Sequence, residues 1–136
     1  MREPAINRGE VLIQAGENAG LAILTLGAGI QIREATGKQP LEIVAALQGI
    51  APDDIAAISA LEPLDMAHVV HACLKAGADR YPDACGGLHG MSVEQVGDEL
   101  MAAGGMLALI EAAGTCIAAM FAPDARGGAA GNGDGA

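Results

Sequence analysis

Five side chains able to ligate a metal or move a proton fall within one stretch: His68, His71, Cys73, Cys85 and His89. His68 and His71 are three apart on a predicted helix, so their rings can share a face. Cys85 and His89 return after a loop, and together the set has enough donors for a tetrahedral zinc ion. The spacing has no paired Cys-x-x-Cys knuckle, and the loop is glycine-rich. The competing reading makes Cys73 a small core residue, His68 and His71 hydrated groups at a helix boundary, and Cys85 and His89 ordinary loop residues.

Catalytic constellations are harder to build. A Cys85–His89 nucleophile pair needs an oxyanion site and a third, orienting group, and no residue nominates itself for either. Gly27-x-Gly29 lacks the third glycine and the distant acid of a dinucleotide loop, and Gly37-Lys38 lacks the upstream glycine of a phosphate loop. The residues thus nominate no catalytic site and no cofactor, with His68, His71, Cys85 and His89 kept as metal candidates.

The elements that would position these groups follow from periodicity. Glu10–Gln14 and Leu21–Leu26 are short aliphatic runs separated by Ala15–Gly20, which predicts a β-hairpin over residues 9–26. Beyond Gly27 the repeat becomes helical, with Ile30, Arg33 and Glu34 at helix spacing and a stop at Thr36-Gly37. A second helix restarts at Pro40 with Leu41, Val44, Ala45 and Leu47. Pro52-Asp53-Asp54 reads as the entry of a third helix carrying Ile55, Ile58 and Leu61. A fourth runs from Leu64 to Gly77 with Ala67, Val70 and Cys73 or Leu74 inward. Residues 79–90 hold a proline and three glycines, a pattern no regular element carries.

Ser92-Val93-Glu94-Gln95 has capping-box spacing and opens a fifth helix along Val93, Val96 and Leu100. From Gly104-Gly105 to Phe121 the seam reads Leu107, Ile110, Gly114, Ile117 and Phe121. A membrane span over 102–121 meets Glu111 at its centre, a cost of roughly 2.5–3.5 kcal/mol, and a buried helix is expected instead.

The predicted fold class is α+β, mostly α: an N-terminal β-hairpin followed by a bundle of five to six helices. Residues 1–8 are expected to be a loose arm, 9–122 a single domain, and the Gly/Ala-rich residues 123–136 a disordered tail.

Composition narrows the partners. The chain has 136 residues, 51% of them hydrophobic, yet one Tyr, one Phe and no Trp, so the core must be aliphatic and is helical by preference. Seventeen acidic against seven basic side chains give a net charge of −10, which opposes binding to nucleic acid or an anionic membrane. Three cysteines and no apolar leader at Met1-Arg2-Glu3-Pro4 predict reduced thiols in a cytoplasm.

The order of motifs carries a resemblance. Asn7-Arg8-Gly9-Glu10-Val11, Leu24-Thr25-Leu26-Gly27-Ala28 and Ile32-Arg33-Glu34-Ala35-Thr36-Gly37 are followed by Pro40-Leu41, Ala51-Pro52-Asp53-Asp54-Ile55, Leu74-Lys75-Ala76-Gly77 and Met91-Ser92-Val93-Glu94-Gln95-Val96. This succession, covering 7–121, resembles the small tail-assembly-chaperone-like proteins of tailed phages, prophages and gene transfer agents. The family pattern does not call for His68, His71, Cys85 or His89.

The resemblance implies a non-enzymatic chaperone or scaffold in the bacterial cytoplasm that holds the tape-measure protein or the major tail tube protein during tail assembly, and it leaves homo-oligomerisation open. Met66, Met91, Met101, Met106 and Met120 suit an adaptable binding surface, or else fill a Trp-free core. The alternative function is a small metal-binding or regulatory helical domain using His68, His71, Cys85 and His89.

Overall fold

The computed structural model describes residues 10–47, 53–59, 61–82 and 86–121. Its architecture is mostly helical behind an N-terminal antiparallel hairpin, as the periodicity predicts. Strand β1 (Glu10–Ala15) pairs with β2 (Asn18–Ile23) in a register that runs from Glu10↔Ile23 to Ala15↔Asn18. The connection is thus two residues, Gly16-Glu17, and not the six-residue gap expected from Ala15–Gly20. Gly16 takes φ 63° while Glu17 stays at negative φ, the glycine-first turn that matches strand twist.

Strand β2 ends at Ile23 because Thr25 leaves the sheet to cap a helix. Its hydroxyl accepts the Ala28 N–H at 3.1 Å, and α1 (Leu26–Thr36) follows, closed by Gly37 in the left-handed conformation. The hairpin expected to reach residue 26 therefore stops short of the helix start. Helix α2 (Pro40–Leu47) begins at Pro40 as expected, with the Glu42 carboxylate accepting the Gln39 N–H at 2.9 Å.

The third helix, α3 (Ile55–Ser59), is a short turn capped by Asp54, whose carboxylate accepts the Ala57 N–H. The helix starts three residues later than an entry at Pro52 implies, with Asp54 outside it as its cap, and it ends at Ser59, short of Leu61. Helix α4 (Pro63–Arg80) has Pro63 in its first turn and Arg80 in its last, both favourable placements.

Residues 79–90 are less irregular than expected. Asp79 and Arg80 complete α4, and Gly87–Gly90 forms one 3₁₀ turn. Helix α5 (Val93–Phe121) opens on the expected capping box. The Ser92 N–H donates to Gln95 Oε1 at 2.9 Å and the Gln95 N–H to Ser92 Oγ at 3.2 Å. It is bent into two arms at Gly104 (φ −159°, ψ 20°) and Gly105 (φ 73°, ψ −165°), the latter in a region only glycine occupies readily.

Helix α4 is the centre of the molecule, packing against α1, α5, β2 and the 3₁₀ turn, while β1 and α2 lie against α5. Met66, Ala67, Val69, Val70, Ala72, Cys73, Leu74 and Gly77 are all buried, so α4 is apolar on more than one face. Gly77 permits β2 to come in against it: a Cβ there would overlap the Leu21 carbonyl oxygen and sit 2.8 Å from its carbon.

Several expected faces are rotated. The second arm of α5 buries Leu109, Ala112, Ala113, Cys116 and Ile117, and Leu107 from the predicted seam is 44% exposed. Gly114 makes no close approach, since an added Cβ would meet only Leu47 Cδ1 at 3.8 Å. On α1 and α2 the buried residues are Ala28, Ile32 and Ile43, leaving Ile30 and Leu41 half exposed, and Ile55 on α3 is exposed. Two-face packing around α4 selects one stripe per helix, and where several apolar residues compete the spacing alone does not say which stripe wins.

By length and composition Val93–Ala118 is apolar enough to cross a membrane. Here it is broken by the glycine pair and contributes Val96, Leu100, Leu109, Ala113, Cys116 and Ile117 to the core. The expectations for the arm 1–8, the tail 123–136, Pro52 and the side chains of Val44, Ile58, Met120 and Phe121 lie outside the described residues.

Candidate functional site

Among the described residues the metal candidates do not converge. His68 and His71 are neighbours on α4, each half-buried. Burial pushes the His71 pKa below its ordinary value, and the charges of His68 and Lys75 push the same way, outweighing the Met91 backbone. His71 is thus held toward its neutral form by its surroundings.

His89 has a different task. It sits in the 3₁₀ turn, where its Nδ1 accepts the Gly86 N–H at 3.0 Å and its Nε2 lies 2.8 Å from the Leu21 carbonyl oxygen. An Nδ1 acceptor leaves the proton on Nε2, so Nε2–H donates to Leu21. In a hairpin closed by Ala15↔Asn18, the Leu12↔Leu21 pair is one whose strand-facing bonds are not exchanged, and the Leu21 carbonyl points out of the ribbon. His89 supplies the partner that β1 cannot. Neither ring nitrogen is open to a metal ion while both bonds stand.

Cys85 lies outside the described residues. Cys73 is fully buried on α4 beside Cys116 of α5, and contact with that thiol together with burial raises the Cys73 pKa well above its ordinary value. A protonated, buried thiol is a poor nucleophile and a poor metal ligand. Among the described residues no group of three or more His, Cys, Asp or Glu side chains is arranged to hold a metal ion.

One polar contact and one buried charge escaped sequence reasoning. Asn18 Nδ2 donates to Glu99 Oε1 at 3.0 Å, tying the hairpin turn to α5 across most of the chain. Glu10 is the one buried charged side chain among the described residues. The pattern Asn18…Glu99 has no local signal, because only the tertiary fold makes the two neighbours.

The surface shows clefts of another kind. A groove of about 450 Å³ lies between the start of α1 and the start of α2, lined by Leu24, Leu26, Ile30, Arg33, Gln39 and Pro40. Leu26 is 83% exposed at its edge, Ile30 50% and Leu41 on α2 52%. A smaller groove of about 270 Å³ lies between α4 and the first arm of α5, with Leu64, Ala67, Gly97, Met101 and, from the second arm, Leu109 as its apolar part and Glu62, Glu94 and Asp98 around it.

The methionines are mostly not at these surfaces. Met66 is buried, Met91 and Met106 are partly buried against the core, and Met101 alone of the described methionines is exposed. Of the two readings of the methionines, core filling fits Met66, Met91 and Met106 and a binding face fits Met101 alone, while leucine and isoleucine supply most of the large exposed apolar side chains among the described residues. No protein-family model, curated protein or solved structure matches this chain.

Proposed function

We propose that this chain is a non-enzymatic assembly chaperone or scaffold for the tail of a tailed phage, prophage or gene transfer agent. In this reading it acts in the bacterial cytoplasm and binds the tape-measure protein or the major tail tube protein before they pack. The order of motifs from Asn7 to Met91-Ser92-Val93-Glu94-Gln95-Val96 supports the tail assignment. The observation that carries a binding role is the α1–α2 groove, where Leu26 and Ile30 stand in water, with Leu41 half exposed elsewhere on α2. Exposed aliphatic side chains clustered at a concave surface mark a place where a partner's apolar surface is to be covered.

The physical task fits the features. A long helical partner awaiting assembly exposes apolar stripes that would otherwise associate, and a small acidic protein with an aliphatic groove covers such a stripe while remaining soluble. The experiment is affinity capture of the tagged full chain from bacteria producing tails, with the tape-measure and tail tube proteins identified by mass spectrometry. Recovery of either, lost when Ile30→Glu is introduced, supports the reading. Capture of neither from cells that make tails overturns it.

A further inference from the structure

We infer that the groove between the start of α4 and the first arm of α5 is the docking site for a cationic amphipathic helix. The inference deepens the assembly reading and rests on it for the partner's role, though not for the groove's chemistry. Leu64 and Met101 are 50% and 41% exposed on opposite walls, so an apolar stripe laid between them would be covered on two sides. The floor is shallow because α4 and α5 meet through small residues: a Cβ on Gly97 would lie 3.2 Å from Ala67 Cβ. A groove between two helices with apolar walls takes the side chains of a third helix at its i, i+3 and i+4 positions.

Charge selects the occupant. Glu62, Glu94 and Asp98 line the groove, and no lysine or arginine does. Glu94 and Asp98 are four apart on α5, a like-charge pair that weakens a helix on its own. The described lysines and arginines line other clefts, although the charge of Lys38 reaches Glu62. Lys38 pairs with Asp65 at 2.8 Å, Lys75 and Arg80 line a separate cleft beside the start of α1, and Arg33 borders the α1–α2 groove.

A partner helix carrying Lys or Arg beside its apolar stripe would relieve this repulsion, whereas an acidic helix would add to it. The groove therefore discriminates by sign as well as by shape.

The test uses the full chain and three fluorescein-labelled synthetic peptides read by anisotropy. One is a helix with a Leu/Ala stripe flanked by lysines, the second has the same stripe flanked by glutamates, and the third has the lysine peptide's composition in scrambled order. The lysine helix is expected to bind with an affinity that falls as salt is raised, and at least about tenfold more tightly than either other peptide. Glu94→Gln with Asp98→Asn should weaken it about tenfold, mainly by slowing association.

Removing the same charge at two exposed sites away from the groove, Glu17→Gln with Glu111→Gln, should change it less than about twofold. Met101→Glu should abolish binding without unfolding the chain, because Met101 is exposed.

Equal weakening by the two neutralised pairs, or equal binding of the scrambled peptide, would mean diffuse attraction to an acidic protein and would overturn the site. If the tail proteins are captured while the peptides fail these criteria, the groove assignment falls and the assembly reading stands. If the peptides meet them while no tail protein is captured, the groove stands and the assembly reading falls.

Discussion

Replacing Gly77 by alanine tests whether β2 truly rests on the backbone of α4. The new methyl would overlap the Leu21 carbonyl oxygen and lie 2.8 Å from its carbon and 3.3 Å from Ala22 Cα, so the obstacle is main chain and cannot rotate aside. Overpacking of this kind costs about 1–3 kcal/mol, and a backbone obstacle places it at the upper end. Moving β2 outward also stretches the 2.8 Å bond from His89 to Leu21, worth about 1 kcal/mol.

Alanine returns about 1 kcal/mol of helix propensity. The net expectation is a loss of about 3 kcal/mol, which for a domain of this size lowers the melting temperature by roughly 10 °C. Gly114→Ala is the control, because its methyl meets only Leu47 Cδ1 at 3.8 Å. There the propensity gain should dominate and raise stability by about 0.5–1 kcal/mol. Circular dichroism melts and urea titrations of both variants decide the matter. A Gly77→Ala protein that melts with or above the wild type would refute the packing of β2 on α4.

His89→Phe keeps the ring but removes both bonds, leaving the buried Leu21 carbonyl without its donor, and should cost about 1–3 kcal/mol in urea unfolding. His71 has a folded pKa below its unfolded value of 6.5, so across the interval between them the unfolded chain binds more protons and stability falls as the solution is acidified. His71→Gln should therefore lose less stability than the wild type between pH 7.5 and 5.5, a comparison that cancels the carboxylates common to both. The thiols of Cys73 and Cys116 are fully buried, so iodoacetamide at neutral pH should leave both unmodified in the native protein and label both in urea, as mapped by peptide mass spectrometry.

The elements were legible where local chemistry is self-contained. Ser92 and Gln95 signal a helix start by spacing alone, Gly37 signals a stop, and Pro40 a restart; each is found in place. The strand boundary failed at Thr25, because an aliphatic run continues through Leu26 and the hydroxyl that caps α1 counts for more than hydropathy there.

Face assignments failed more often than elements did. Leu107, Ile30, Leu41 and Ile55 are as apolar as Leu109, Ile32 and Ile43, and only packing around α4 chooses among them. Of these displaced side chains, Ile30 lines the α1–α2 groove. The histidines were legible only as possible donors, and His89 could be read as a β2 edge partner only after the hairpin register was known.

Under the proposed function, the exposed aliphatic residues Leu26 and Ile30 on α1 hold a tail protein. Isothermal titration of the purified full chain against the purified tape-measure protein, with wild type and Leu26→Glu/Ile30→Glu compared, measures this directly. Stoichiometric binding by the wild type with a negative heat-capacity change is expected, and its loss in the doubly substituted chain that still melts as wild type. Identical binding by both proteins, or no binding of either the tape-measure or the tail tube protein by the wild type, would contradict it.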